Sequence, residues 1–276
     1  MALPSLRYVN NQGQTYDFDK QKVWPIAEEL FDFEIDYEVT NGSVISHSFP
    51  DVEIPLNVSM RPEDAAREMN MLYRVMMPDV LAGKPGRIYD GAWYTQCFIK
   101  KSEKRLWYRK GELRTYEMSL FVPEPIWTRD IKYSFAVETT EGDLSLGFPF
   151  EYPHGYSGET PIKSILIDGA QDCDCRIDIY GHVENPVITI GNNTYRVDAG
   201  VPEGAVLSID TRDAMATITT NDGTVIDVFS STPDATPGSG EYIFEKLHPG
   251  YLPVSWDGSF RVGITVYLQM VGERQW

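Results

Sequence analysis

The chain has 276 residues, 42% of them hydrophobic and 24% charged, which are globular proportions at a length suited to two domains that each bury a core. A largely disordered polymer is excluded. Acidic residues number 41 against 24 Lys plus Arg, a formal charge of -17 that repels phosphate and excludes a general nucleic-acid binder.

An aromatic content of 12% fits pleated, half-buried surfaces and favours sheet. The opening Met1 to Tyr8 lacks the basic start and long apolar run of a secretion signal, so synthesis in a cytoplasm is expected. No apolar stretch is long enough to cross a bilayer as a helix, so a soluble chain without membrane insertion is expected.

In chain order, Leu6 to Val9 and Thr15 to Phe18 flank a turn at Asn10 to Gly13 and predict a hairpin. Phe33 to Val39 alternates apolar and acidic residues, and Asn41-Gly42 offers a type I′ turn before Val44, predicting a second hairpin with Glu34, Asp36 and Glu38 on its outward face. Those carboxylates are neighbours on one strand, whereas acid/base chemistry needs two groups in different environments across a cleft, so a solvated face is expected.

From Ser59 to Met76 the period changes. Ala65, Met69, Leu72 and Met76 are spaced as one side of a helix, with Ser59 as cap, Pro62 in the first turn, Glu63 and Asp64 at the positive end and Pro78 as stop. Packing of that stripe on a sheet is expected in preference to a partner groove. Strands follow at Ala92 to Ile99 and Thr115 to Val122, and Leu106 to Tyr108 is strand-like as well. A basic turn between them carries Lys100, Lys101, Lys104 and Arg105, with Arg109, Lys110, Trp107 and Tyr108 beyond. This reads as an exposed hairpin arm whose charge could meet an acidic face of a neighbouring subunit.

Pro123 and Pro125 close the first half. Phe148 to Tyr156 is a second stretch broken by Pro and Gly, and the expected boundary gives domains 1–130 and 131–276. Beyond Gly158 the chain is strand and turn: Ser164 to Ile167, Arg176 to Tyr180, Val187 to Ile190, Tyr195 to Val197, Ala205 to Ile209, and Ala216 to Thr219 joined through Asn221-Asp-Gly223 to Thr224 to Phe229. After the loop Pro233 to Gly240, the final strand alternates Val262, Ile264, Val266, Leu268 and Met270 with Gly263, Thr265, Tyr267 and Gln269, predicting one core face and one outer face. A sandwich or jelly roll is implied.

Reactive constellations are not found. Cys173 and Cys175 are too close in sequence for an unstrained bridge, and with His182 they lack the second pair of a zinc finger, so buried small residues are expected beside Cys97. His47, His154, His182 and His248 are scattered, and Gly169, Gly181 and Gly191 end strands instead of opening a helix on phosphate. No catalytic, cofactor-binding or metal residue is assigned. Trp256 with Tyr251 or Tyr180 are candidates for a sugar-stacking platform, although core packing explains them as readily.

Three landmarks remain: Asn185-Pro opening the strand Val187 to Ile190, the run Gly204 to Thr211, and Phe244 to Gly250 with its Pro-Gly corner. In this order they resemble the carboxyl-terminal galectin-like domain of siphophage distal tail (Dit) proteins, and Leu6 to Gly13 is similar to that family's opening strand and turn. The Pro-acidic-Pro segment at Pro123 to Trp127 resembles the end of its ring-forming domain. Cys173-Asp-Cys175 matches no motif of the family.

The resemblance implies a mainly β protein: an amino-terminal ring-forming domain with one α-helix and a galectin-like β-sandwich. It further implies a homo-hexameric ring at the distal end of the virion tail, a baseplate component with host-adsorption partners. Those partners would be the tail tube protein, a tail-tip or tail-associated lysin protein and a receptor-binding protein. Fold alone does not carry sugar binding over. The competing readings are a carbohydrate-binding β-sandwich module contacting host cell-wall saccharide, and a β-sandwich glycoside hydrolase with two carboxylates across a cleft.

Overall fold

A computed structural model describes residues 6–27, 29–106, 113–137 and 163–271. The chain divides into two compact units, Met1–Arg129 with Gln269–Trp276, and Asp130–Leu268.

The first unit contains β1 (Leu6–Val9), β2 (Thr15–Asp17), β3 (Val23–Ile26), β4 (Asp36–Thr40), β5 (Ser43–Ser48), β6 (Val52–Met60), the helix α1 (Ala65–Ala82), β7 (Gly86–Asp90), β8 (Trp93–Leu106), β9 (Arg114–Val122) and the start of β10 (Trp127–Phe135). The predicted first hairpin forms, with Tyr8 opposite Tyr16. Strand β8 serves three partners, with β10 paired at Trp93 and Tyr94. Its first half pairs with β7 and, from Phe98 on, it pairs with β9, with register irregularities at Ile99/Lys101 and Lys104/Leu106. Such irregularities bend a strand and let it pass from one sheet into another. The stretch from Lys100 to Arg105, expected as a turn, is therefore strand, and the chain reverses beyond it.

Strict alternation fixes the core. Ile54, Leu56 and Val58 of β6 stand opposite Leu120, Met118 and Tyr116 of β9, all buried. The helical stripe Ala65, Met69, Leu72 and Met76 is buried in the same cluster, as its spacing predicts. The helix bounds differ from expectation. Ser59 is the penultimate residue of β6, its hydroxyl 2.8 Å from that of Thr115, and the helix begins at Ala65 behind Asp64. Pro78 lies inside the helix, which ends only at Gly83 with φ of 62°.

A proline in a helix interior removes one backbone bond at a cost of about 3 kcal/mol. The turn beyond it is held instead by Asp79, which is fully buried and accepts the Tyr8 hydroxyl at 2.5 Å and the Asn11 N–H at 2.8 Å. Burial pushes the Tyr8 phenol well above its ordinary pKa, with the nearby Cys97 and Asp79 adding to the effect, so it stays a donor. Gly86 closes this corner, because a Cβ there would meet the Tyr8 hydroxyl and the Asp79 carboxylate.

The second unit contains β11 (Ser164–Ile167), β12 (Asp174–Tyr180), β13 (Val183–Glu184), β14 (Val187–Ile190), β15 (Asn193–Arg196), β16 (Gly200–Val201), β17 (Val206–Asp210), β18 (Met215–Thr219), β19 (Val225–Asp227), β20 (Gly250–Ser255) and β21 (Arg261–Met270). One sheet runs β19-β18-β17-β12-β21, a second runs β11-β20-β14-β15, and β13 pairs with β16. All these pairings are antiparallel, and the inward faces are buried: Ile177, Ile179, Leu207, Ile209, Val262 and Ile264 in the first sheet, Ile165, Ile188, Ile190 and Tyr195 in the second. This is the predicted β-sandwich. Phe229–Ser231 forms a short 3-10 turn, so the strand expected from Thr224 to Phe229 is cut to Val225–Asp227. Tyr267 departs from the expected outer face of β21: it is buried, and its hydroxyl donates to Asp210 at 2.9 Å. The expected motif at Phe148 to Tyr156 lies outside the described residues.

Gly86→Ala, by overpacking the Tyr8–Asp79 corner, is expected to lower unfolding stability by about 1–3 kcal/mol in urea denaturation. The Asp222 carboxyl in the Thr220 to Thr224 turn is held down to about 2 from 3.8, first by the Thr220 hydroxyl. Its stabilising effect is present above pH 3.8 and is lost as pH falls through about 2. Hydrogen exchange of β18 and β19 should therefore accelerate across that window in the wild type, and Asp222→Asn should flatten the pH response.

Candidate assembly interface

None of the sequence-level candidates for chemistry converge. Cys97, Cys173 and Cys175 are free and fully buried, and burial raises the Cys97 and Cys175 thiols well above their ordinary pKa, so both stay protonated. Cys173 exchanges backbone bonds with Leu247, both at 2.9 Å, and His182 is exposed. Among the described residues no three His, Cys, Asp or Glu side chains cluster as metal ligands.

Asp174, between the two cysteines, has a structural task that the sequence did not signal. Buried, it accepts the Thr211 hydroxyl at 3.0 Å and pairs with Lys246 at 3.1 Å, while Thr211 in turn accepts the Cys175 N–H at 2.9 Å. His248 pairs with Asp172 at 2.7 Å and His47 packs edge-on to Phe49. His154 lies outside the described residues.

The rings suggested as a sugar platform have partners of their own. The half-buried Trp256 donates its indole N–H to the Phe260 carbonyl and has the Lys163 ammonium 4.0 Å from its ring centre. Tyr180 carries the Arg261 guanidinium at 4.1 Å. A cation thus occupies one face of each ring. Tyr251 is exposed on β20.

The basic stretch on β8 is likewise answered from within the chain. Lys100 pairs with Glu53, Lys101 with Glu103 at 3.0 Å and Arg105 with Glu117 at 3.1 Å. Exposed pairs of this kind contribute about 0–1 kcal/mol each, and they give three of the cations in that stretch acidic partners within the chain. Arg109, Lys110, Trp107 and Tyr108 lie outside the described residues.

What the first unit does present is apolar surface. Strands β4 and β5 form the predicted hairpin, with Asn41 and Gly42 both at positive φ as a type I′ turn requires. Its acidic face is as expected, with Glu38 accepting the Ser46 hydroxyl at 2.9 Å. The other face departs from expectation. Tyr37 opposite His47 and Val39 opposite Val44 make an apolar face, yet Tyr37, Val39 and Val44 are 60%, 58% and 61% exposed, and Ile45 at the irregularity is exposed too. Every residue of both strands is exposed.

Among the described residues β4 and β5 pair only with each other, and an isolated two-stranded ribbon is marginal in water. On the outer face of the β3-β6-β9 sheet, Trp24 and Ile26 are also exposed, and a cleft of about 570 Å³ is lined by Trp24, Arg61, Pro62, Glu63 and Leu113.

The overall architecture has solved counterparts. The chain matches the crystal structure of the Dit protein of phage SPP1, described as a paradigm of the hub adsorption apparatus in phages infecting Gram-positive hosts. The TM-score is 0.58 at 9% identity, covering 98% of this chain and 100% of the other.

It has the fold of that protein.

A chain of the phage P2 baseplate in its activated conformation with calcium matches at a TM-score of 0.61 and 10% identity, covering 99% of this chain and 100% of that one. The strontium form matches at 0.58 and 11%, covering 97% and 98%. No family model and no curated protein matches the chain. The Dit-like fold holds two β-rich units, and the exposed ribbon lies in the first.

With all three thiols buried, Ellman's reagent should titrate none in the native protein and three in guanidinium chloride. A fast-reacting native thiol would contradict the burial of Cys97, Cys173 and Cys175.

Proposed function

We propose that this chain is a structural distal tail protein of a siphophage. Six copies close into a ring through their first units, joining the tail tube to the tail-tip or host-adsorption apparatus at the distal end of the virion tail. The tail tube protein, a tail-associated lysin or tip protein and a receptor-binding protein are its partners in this reading, which assigns no catalytic step to any residue.

One observation carries the self-association. The β4–β5 ribbon exposes its apolar face, Tyr37, Val39 and Val44, beside an acidic one. Among the described residues no other strand pairs with this small ribbon, and a surface of another copy laid on it would supply the stability that an isolated ribbon lacks. The Trp24 and Ile26 surface is a second apolar patch on the same unit. Two different patches that meet between copies form a head-to-tail contact, which closes into a ring when the rotation allows. The fold shared with a protein described as an adsorption hub and with a baseplate chain supports the same reading.

The test is direct. Light scattering of the purified chain should give about six times the 31.3 kDa protomer mass, with sixfold rings in negative-stain images. Val39→Asp with Val44→Asp should yield a folded monomer, since both positions are exposed and their loss leaves the core intact. A wild type that stays monomeric at every concentration, or rings that persist in the double variant, would refute the proposal.

A further inference from the structure

Among the described residues, one sheet of the second unit ends at β19 with part of its core face exposed. Antiparallel register sets Val262, Ile179, Leu207, Ile218 and Ile226 in one row across β21, β12, β17, β18 and β19. Their exposures run 0%, 1%, 0%, 4% and 47%. The neighbouring row, Ile264, Ile177, Ile209 and Ala216, is finished differently: Val228 donates its N–H to the Ala216 carbonyl at 2.9 Å and is itself buried. Of these two core rows, only the Ile226 row ends in an exposed apolar side chain.

On the opposite face, beside Val225, one row ends in charge. Asp178, Ser208, Thr217 and Asp227 form the corresponding polar row, in which the Ser208 hydroxyl donates to Asp178 at 2.6 Å. Asp227 accepts the Phe229 N–H through Oδ1, and a carboxylate retains further acceptor capacity. Val225, Phe229 and Met215 add exposed apolar surface, and Asp213 and Asp222 lie in the turns before and after β18. Among the described residues β19 pairs only with β18. It is short, but it lacks the Lys, Pro or bulge that commonly protects an open edge.

We propose that β19 is a docking edge for an extended segment of a partner protein, added as a further strand of the sheet. An apolar residue of that segment completes the Ile226 row, and an adjacent Lys or Arg, pointing to the other face, meets Asp227. The edge thus selects a segment alternating apolar and cationic residues. A second copy of this chain is a poorer occupant: antiparallel pairing of two β19 strands about Ile226 sets Asp227 against Val225 and covers the carboxylate without a cation. The formal charge of -17 on each chain adds repulsion. The inference does not require the ring, which rests on the first unit.

The probe is a fluorescent nine-residue peptide of alternating Val, Thr and Lys, with a Glu-for-Lys peptide as control, added to the full chain. Anisotropy should detect the Lys peptide and bind the Glu peptide at least about tenfold more weakly, and hydrogen exchange at residues 225–227 should slow. Ile226→Lys, at an exposed position, should weaken binding about tenfold with the melting temperature unchanged. Equal binding by that variant, no protection at β19, or parity between the two peptides overturns the proposal. So does self-association that Ile226→Lys abolishes, which would make a second copy the occupant.

Discussion

A carboxylate sealed from solvent must find all its partners inside the protein, and in the first unit that requirement falls on Asp79. Its two oxygens take the Tyr8 hydroxyl and the Asn11 backbone, so one side chain near the end of the helix fixes both the first strand and the turn that follows it. Leaving such a group unpaired costs several kcal/mol. The arrangement is therefore nearly all-or-none: the helix must continue through Pro78 to deliver Asp79, and Gly86 must lack a side chain to leave it room. The Met69, Leu72 and Met76 stripe belongs to the same buried cluster as the inward residues of β6 and β9.

A core so arranged frees the remaining surface to specialise. Several exposed charges are paired locally, as with Lys101 and Glu103 or Arg196 and Asp198, and the described cysteines and histidines are spread among packing and surface tasks. What stands out is apolar: the ribbon β4–β5 and the Trp24 patch in one unit, the Ile226 edge in the other. In an acidic chain these are the places where like charges do not keep neighbours apart. The proposed assembly role would draw on these places.

Much of this was legible in the sequence because it depends on local periodicity. The Ala65, Met69, Leu72, Met76 spacing gave the buried side of the helix, Asn41-Gly42 and Asn221-Asp-Gly223 gave their turns, and the alternation from Val262 to Leu268 gave a core strand. The family resemblance was carried by the order of short landmarks, and the fold agrees with it at about one-tenth identity to the solved structures. The misreadings share a cause. Ser59 looks like a cap and Pro78 like a stop when only neighbours along the chain are considered. Lys100 to Arg105 looks like a turn by composition, yet its pairing across from β9 holds it extended.

The sequence by itself determined that one segment is helical, which side of it is apolar and which segments alternate, because these follow from period and turn chemistry. Only the tertiary structure decided which alternating strands are covered. Tyr37 and Val44 carry the same pattern as Val262 and Ile264, yet the first pair is exposed and the second buried. The pattern states that a face is fit to be buried; burial itself depends on whether another part of the same chain lies over it.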